Sequence, residues 1–262
     1  MLPYLEYLPS LLVAMARIYP CAILVPAFCF QHIRGMPRHV IVMVMAFIPA
    51  PGIHAVLVDQ NYSALMIIGL IFKEAALGIL LGVLLAMPFW MFESVGALLD
   101  NQRGALAGGQ LNPSLGPDAT PIGHLFKQLV IYLLIAVLGL SVLTQVIWDS
   151  YLIWPATAWV PLPAVNGFST FLGILGDTFT HMMLYVSPFI AVLLFLEFGL
   201  ALLGVYSQQL QVSTLAPPLK SLAGIGILLL YFALLQDLIV GRLNLLGDLK
   251  HSLGVMFQVS TP

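Results

Sequence analysis

The chain is poor in charge. Only 20 of its 262 residues are Asp, Glu, Lys or Arg, 8% of the total, against about 25% in an ordinary soluble domain. Nine Lys and Arg spread over this length cannot clothe a water-facing surface. Lipid or a large apolar assembly must therefore cover much of the molecule. A net charge of −2, with no basic patch, leaves no footprint for nucleic acid. Cysteine is nearly missing. Cys21 and Cys29 lie in one apolar run without C-x-x-C spacing, and they read as two buried thiols rather than a metal site. The motifs GxxxxGK[ST], HExxH and GxSxG are also lacking, so nothing predicts an enzyme or a cofactor. The N-terminus carries Glu6 and no basic stretch before its first apolar run, so it is expected to be a first embedded helix rather than a cleaved secretory signal.

What the chain has is apolar length. Hydrophobic residues make up 61%, and the mean hydropathy is +1.03. A membrane-crossing helix needs about 20 mainly apolar residues. Six regions qualify: Leu11–Phe30, Val40–Val58, Tyr62–Leu85 extending towards Leu99, Leu125–Ile147, Met182–Tyr206 and Ser221–Val240. Prolines at 20, 26, 88 and 188 fall inside apolar runs. Each removes a backbone donor and tends to bend its helix, which at membrane depth requires protein or water to receive the freed carbonyl. The third region is either a helical hairpin turning near Met87–Pro88 or one long helix. Between the fourth and fifth regions, Trp148–His181 has three Trp, three Pro and no Lys or Arg, the composition of an interfacial or extracytoplasmic loop or, alternatively, of a short buried contact surface against a partner. Arg34, Arg38, Arg103, Lys127 and Lys220 border alternate connections, which places those connections in the cytoplasm and the N-terminus outside; Arg242 and Lys250 fit this scheme badly.

An ionised group in hydrocarbon is expensive, so the few polar positions within the spans are where function is sought. Lys73 and Glu74 are adjacent in a helical run and point to different sides, so each wants a partner elsewhere. Either they pair within a helical bundle or they serve a conduit or subunit contact. Gly78 and Gly82 add a small-xxx-small face for close helix packing. Glu93 leads to Asp100, Asn101, Gln102 and Arg103, followed by glycines; this is either a helix end with a flexible sequel or a functional loop at a pore or docking face. Glu197 has about ten apolar residues on each side and is either protonated or paired with Lys73 or another basic group. Gln208 and Gln209 follow in an uncharged polar stretch, and Asp237 is a less secluded acid beside Gln236. His181 reads as an interfacial histidine.

The runs FKEAALGILLGVLLAMPFW (Phe72–Trp90), FESVGALLDNQRG (Phe92–Gly104), SPFIAVLLFLEFGLALLGVYSQQLQ (Ser187–Gln211) and APPLKSLAGIGILLLYF (Ala216–Phe232) resemble the export-gate subunit T of bacterial type III secretion systems, related to the R subunit of the flagellar gate. Order and length agree, so the resemblance covers essentially the whole chain, and the DNQRG stretch points to the injectisome branch. The resemblance implies an all-α integral membrane protein of kinked helical hairpins, one domain over 1–262, in the bacterial inner membrane. It further implies assembly with R and S subunits into a pseudo-helical gate, closed at rest, at the base of the secretion apparatus. Larger export subunits, inner-rod or needle proteins and unfolded secreted proteins would be its other partners, with membrane lipid around it, no nucleic acid and no cofactor. Energy would come from an associated ATPase and proton motive force. On this resemblance Lys73, Glu74, Glu93, Asp100, Asn101, Gln102, Arg103, Glu197, Gln208 and Gln209 are gate or subunit-contact residues. A small-molecule or ion transporter is the alternative, though no inverted repeat joins the two halves.

Overall fold

The computed structural model describes residues 7–30, 33, 35–59, 62–104, 120–158, 167–206 and 212–257. Among them the α-helices are α1 (Leu8–Leu24), α2 (Met36–Ala46), α3 (Ala50–Asp59), α4 (Ala64–Gln102), α5 (Pro121–Leu133), α6 (Ser141–Ile153), α7 (Gly167–Tyr206), α8 (Val212–Asn244) and α9 (Leu249–Met256). Arg34, Trp159, Gln208 and Gln209 lie outside the described residues.

Among the described residues, four helical stretches are long and apolar enough to cross a membrane: Ala64–Gln102, Pro121–Leu138, Gly167–Tyr206 and Thr214–Asn244. The α2–α3 pair, bent by 68°, forms a broken fifth. At 17 residues α1 is shorter than a full span, because the chain leaves the helix at Val25 and enters a short turn at Pro26–Phe28. The third expected region is one continuous helix, not a hairpin: α4 runs through Pro88 for 39 residues. Pro20 and Pro188 likewise sit within α1 and α7.

Two expectations are corrected. Leu125–Ile147 is not one span, because the helix widens over Leu134–Leu138 and stops where Gly139 takes φ +77°, a conformation that glycine adopts without strain. Trp148–His181 is largely helix rather than loop: α6 continues to Ile153 and α7 begins at Gly167.

The chain divides into two compact units. The first contains Met1–Met87, Leu138–Ile174 and Leu243–Pro262; the second contains Pro88–Val137 and Leu175–Arg242. In the first, α1 packs on α2 and α3, and α6 packs on α9. Its core includes Val13, Ile18, Cys21, Leu70, Leu81, Leu143 and Ile147. In the second, Phe89, Phe92, Leu99, Phe126, Phe189, Leu235 and Ile239 are buried. Tyr185 stacks on Phe92, and Tyr231 meets Phe189 edge-on.

Candidate functional site

In the first unit, α1 and α4 touch at their backbones. A Cβ on Gly78 would fall 2.2 Å from the Arg17 carbonyl oxygen, and one on Gly82 would fall 3.0 Å from the Cys21 Cα. The expected small-residue face is therefore real, and it brings α1 close enough for Arg17 to reach Glu74. Arg17 grips the carboxylate at two points, Nε to Oε2 at 2.6 Å and Nη2 to Oε1 at 3.1 Å. It also donates to Ser150 Oγ at 3.0 Å and to the Trp154 carbonyl at 2.9 Å. The Tyr151 ring covers the guanidinium at 4.0 Å, and its hydroxyl donates to the Ala14 carbonyl. Burial pushes the Tyr151 phenol up, against the pull of Arg17, so it keeps its proton at any physiological pH.

Lys73 also reaches Glu74, with Nζ 2.8 Å from Oε1. This corrects the expectation that the two neighbours cannot meet: the lysine stem is long and flexible enough to fold back over the helix. The same ammonium donates to the carbonyls of Ala156 and Ala158 at 2.7 and 2.8 Å, fixing the chain after α6. Arg17 and Glu74 are fully enclosed, while Lys73 sits at the rim. Two cations against one anion are tolerated because the surrounding carbonyls and hydroxyl accept the remaining protons; among the described residues no buried side-chain polar atom lacks a partner.

In the second unit the polar stretch at the end of α4 clasps α5. Asp100 is completely buried. Its Oδ2 accepts from the Ile122 backbone N–H at 2.7 Å, while Thr120 Oγ1 accepts from Gly123 N–H at 3.2 Å. Two of the unsatisfied donors at the start of α5 are thus capped. Asp100 Oδ1 holds Arg103 at 2.5 and 2.8 Å, and Arg103 extends to Ser221 Oγ on α8 at 3.4 Å. Two turns earlier Glu93 pairs with Lys127 of α5 at 2.6 Å. Between these ties a Cβ on Gly96 would lie 2.7 Å from the Gly123 backbone, so the α4–α5 crossing depends on both glycines. Asn101 faces outward and Gln102 is half-buried.

Glu197 is not secluded. More than half its side chain is exposed, and it pairs with Lys220 of α8 at 2.7 Å; Lys73 is taken by Glu74. A second α7–α8 tie joins Asp177 to Arg242 at 2.6 Å, with Arg242 also donating to the Tyr185 hydroxyl and His181 3.0 Å from Asp177. Asp177 and Glu197 are separated by roughly 30 Å of helix, and Lys220 and Arg242 by roughly 33 Å. Both lengths match a hydrocarbon core of about 30 Å. The expectation of two buried thiols holds for Cys21 only, since Cys29 is exposed on its turn. Among the described residues no group of three or more His, Cys, Asp or Glu could hold a metal.

The sequence criterion that singled out Glu74, a charge inside an apolar run, applies equally to Arg17 within Leu11–Phe30, and that residue escaped notice. Asp177 was missed because it lay in an expected loop.

Long apolar helices cross-tied by ion pairs define a polytopic, all-α membrane protein. Residues 8–246 match the family described as bacterial export proteins, family 1, and the chain belongs to that family. It is 29% identical over 221 residues to the Yop proteins translocation protein T of Yersinia pestis, covering 83% of each chain. It is 28% identical over 226 residues to the surface presentation of antigens protein SpaR of Salmonella typhimurium, covering 86% of this chain and 83% of SpaR. The secretion system apparatus protein SsaT of Salmonella typhimurium is 27% identical over 233 residues, covering 87% and 88%. The chain is thus a non-catalytic member of the T family of type III secretion export-apparatus proteins, a multi-pass protein of the inner membrane at the apparatus base.

Proposed function

We propose that this subunit joins R and S subunits to form the closed gate at the mouth of the protein-conducting channel, its helices contributing kinked hairpins to a pseudo-helical assembly. The observation that carries this is the bareness of α7 and α8. In their most apolar stretches only 11% and 17% of residues are buried, yet α7 carries two half-exposed acids, Asp177 and Glu197, and α8 an exposed one, Asp237. Such surfaces suit neighbouring protein better than lipid alone.

Family membership supports contact with other export-apparatus components, and the family match runs uninterrupted through both units, as expected of one functional domain over 1–262. In this scheme Lys73 and Glu74 set the shape of the first unit, and Glu93 with Asp100–Arg103 sets that of the second. Glu197, Gln208 and Gln209 approach neighbouring subunits. Larger export subunits and inner-rod or needle proteins border the gate, and unfolded secreted proteins pass it. A transporter has less support, because the two fully buried carboxylates, Glu74 and Asp100, are each held by ion pairs within the fold.

The test is a secreted substrate fused to a domain too stable to unfold, stalled in living cells. Cross-linkers placed along this chain should capture the stalled polypeptide at one or more positions. Absence of any adduct, while the larger export subunit captures the same substrate, refutes a place in the channel wall.

A further inference from the structure

The two α7–α8 ion pairs frame the membrane-crossing part of α8, and Asp237 lies inside that frame. It is five residues from Arg242, about 7.5 Å towards the middle of the span. Five residues turn a helix by about 140° from the starting face, and Arg242 is occupied by Asp177 and Tyr185. The Asp237 side chain is exposed, and among the described residues it takes part in no hydrogen bond or ion pair. Lysine and arginine can snorkel from this depth to the headgroups, but the single methylene of aspartate cannot. A carboxylate left there in lipid is expensive, so such groups face protein.

The face around it is shaped for a close neighbour. Ala233 and Gly241 flank Asp237 one turn away on either side, and Gly226 and Leu230 continue the same stripe. A Cβ on Gly226 or Gly241 would meet nothing within 4 Å, and Leu230 is 87% exposed. Small residues beside a polar one allow a second helix to approach at backbone distance.

We propose that this face of α8 is the docking surface for a transmembrane helix of another export-apparatus subunit, one that brings a lysine or arginine to the level of Asp237. The kind of partner rests on the gate function above; the need for a cation rests on charge complementarity alone. A second copy of this chain fits poorly, because the cations near its own spans, Arg17, Lys73, Lys127, Lys220 and Arg242, are already engaged.

The experiment uses cells carrying the complete apparatus, with a photo-cross-linking amino acid at Ala233 or Gly241 and Asp237 intact. The expected adduct maps to a membrane helix of another apparatus subunit, within one turn of a lysine or arginine. Asp237→Lys should then cut both adduct and secretion about tenfold, and replacing the mapped cation by aspartate in the same cells should restore them. Adducts only to lipid or to a second copy overturn the proposal, as does Asp237→Leu with wild-type adduct and secretion. Co-purification of the wild-type chain with R and S subunits is followed in parallel. A complex that forms without an adduct at either position refutes this docking face and leaves the gate function standing, whereas no complex refutes the gate function itself.

Discussion

Glu74→Gln should be far more damaging than Lys73→Met, although the two residues are adjacent and both belong to one ion cluster. The glutamate is the sole anion facing two cations, one of which, Arg17, is 1% exposed. Removing its charge leaves an enclosed guanidinium uncompensated, at a cost of about 3–5 kcal/mol. Lys73→Met leaves the two-point Arg17–Glu74 pair intact. It removes two rim hydrogen bonds to Ala156 and Ala158 and a secondary ion contact, together about 1–2 kcal/mol. For a chain of this size each kcal/mol moves the unfolding midpoint by roughly 2–4 °C. Glu74→Gln should therefore lower it by roughly 6–20 °C and Lys73→Met by roughly 2–8 °C. The double variant is the sharper probe. Once Glu74 is neutral, deleting Lys73 removes one of two repelling cations, so the combined loss should fall short of the sum by about 0.5–3 kcal/mol. Heated detergent extracts of a fluorescent fusion, read by size-exclusion chromatography, give all four midpoints. A Glu74→Gln midpoint within 2 °C of wild type, or strictly additive losses, would refute the placement of that cluster.

Gly78→Leu should abolish accumulation in membranes, because even its Cβ would fall 2.2 Å from the Arg17 carbonyl; Gly52→Ala, with open space around it, should accumulate normally on the same immunoblot. Asp100→Ala removes both the α5 cap and the Arg103 partner and should cost about 2–4 kcal/mol, whereas Asp100→Asn keeps the cap and should lose about half as much in the same thermal assay. Asp177→Arg and Arg242→Asp should each lower secretion and thermal stability, and combining them should recover both if the 2.6 Å pair fixes α7 against α8. In detergent, maleimide should label Cys29 at once and Cys21 only after unfolding; equal rates would contradict the packing of α1 on α4.

Much of this architecture could be anticipated from composition and run length, because hydrocarbon imposes a simple length requirement on helices. α7 and α8 each contain an expected region, α4 covers all but the first two residues of Tyr62–Leu85, and the Gly78–Gly82 face packs as its spacing indicates. Pairings were another matter. Arg17 and Glu74 are 57 residues apart, and no periodicity links two helices that meet only in the fold. Local rules also misled: adjacency suggested that Lys73 and Glu74 diverge, yet a flexible stem brings them together. The aromatic and proline content of Trp148–His181 suggested a loop, while α7 begins within it and carries Asp177 as a partner for Arg242. Asp100 was noticed for its polarity, but its work as a helix cap depends on where α5 starts, which sequence boundaries do not reveal.

Whether this chain exists to assemble can be asked directly by expressing it with R and S subunits, tagging it alone, and weighing the detergent-purified product by native mass spectrometry. A gate subunit should emerge in one discrete hetero-oligomer containing both partners, and it should be recovered poorly when expressed by itself. A stable monomer or homo-oligomer, indifferent to the presence of R and S, would contradict that role.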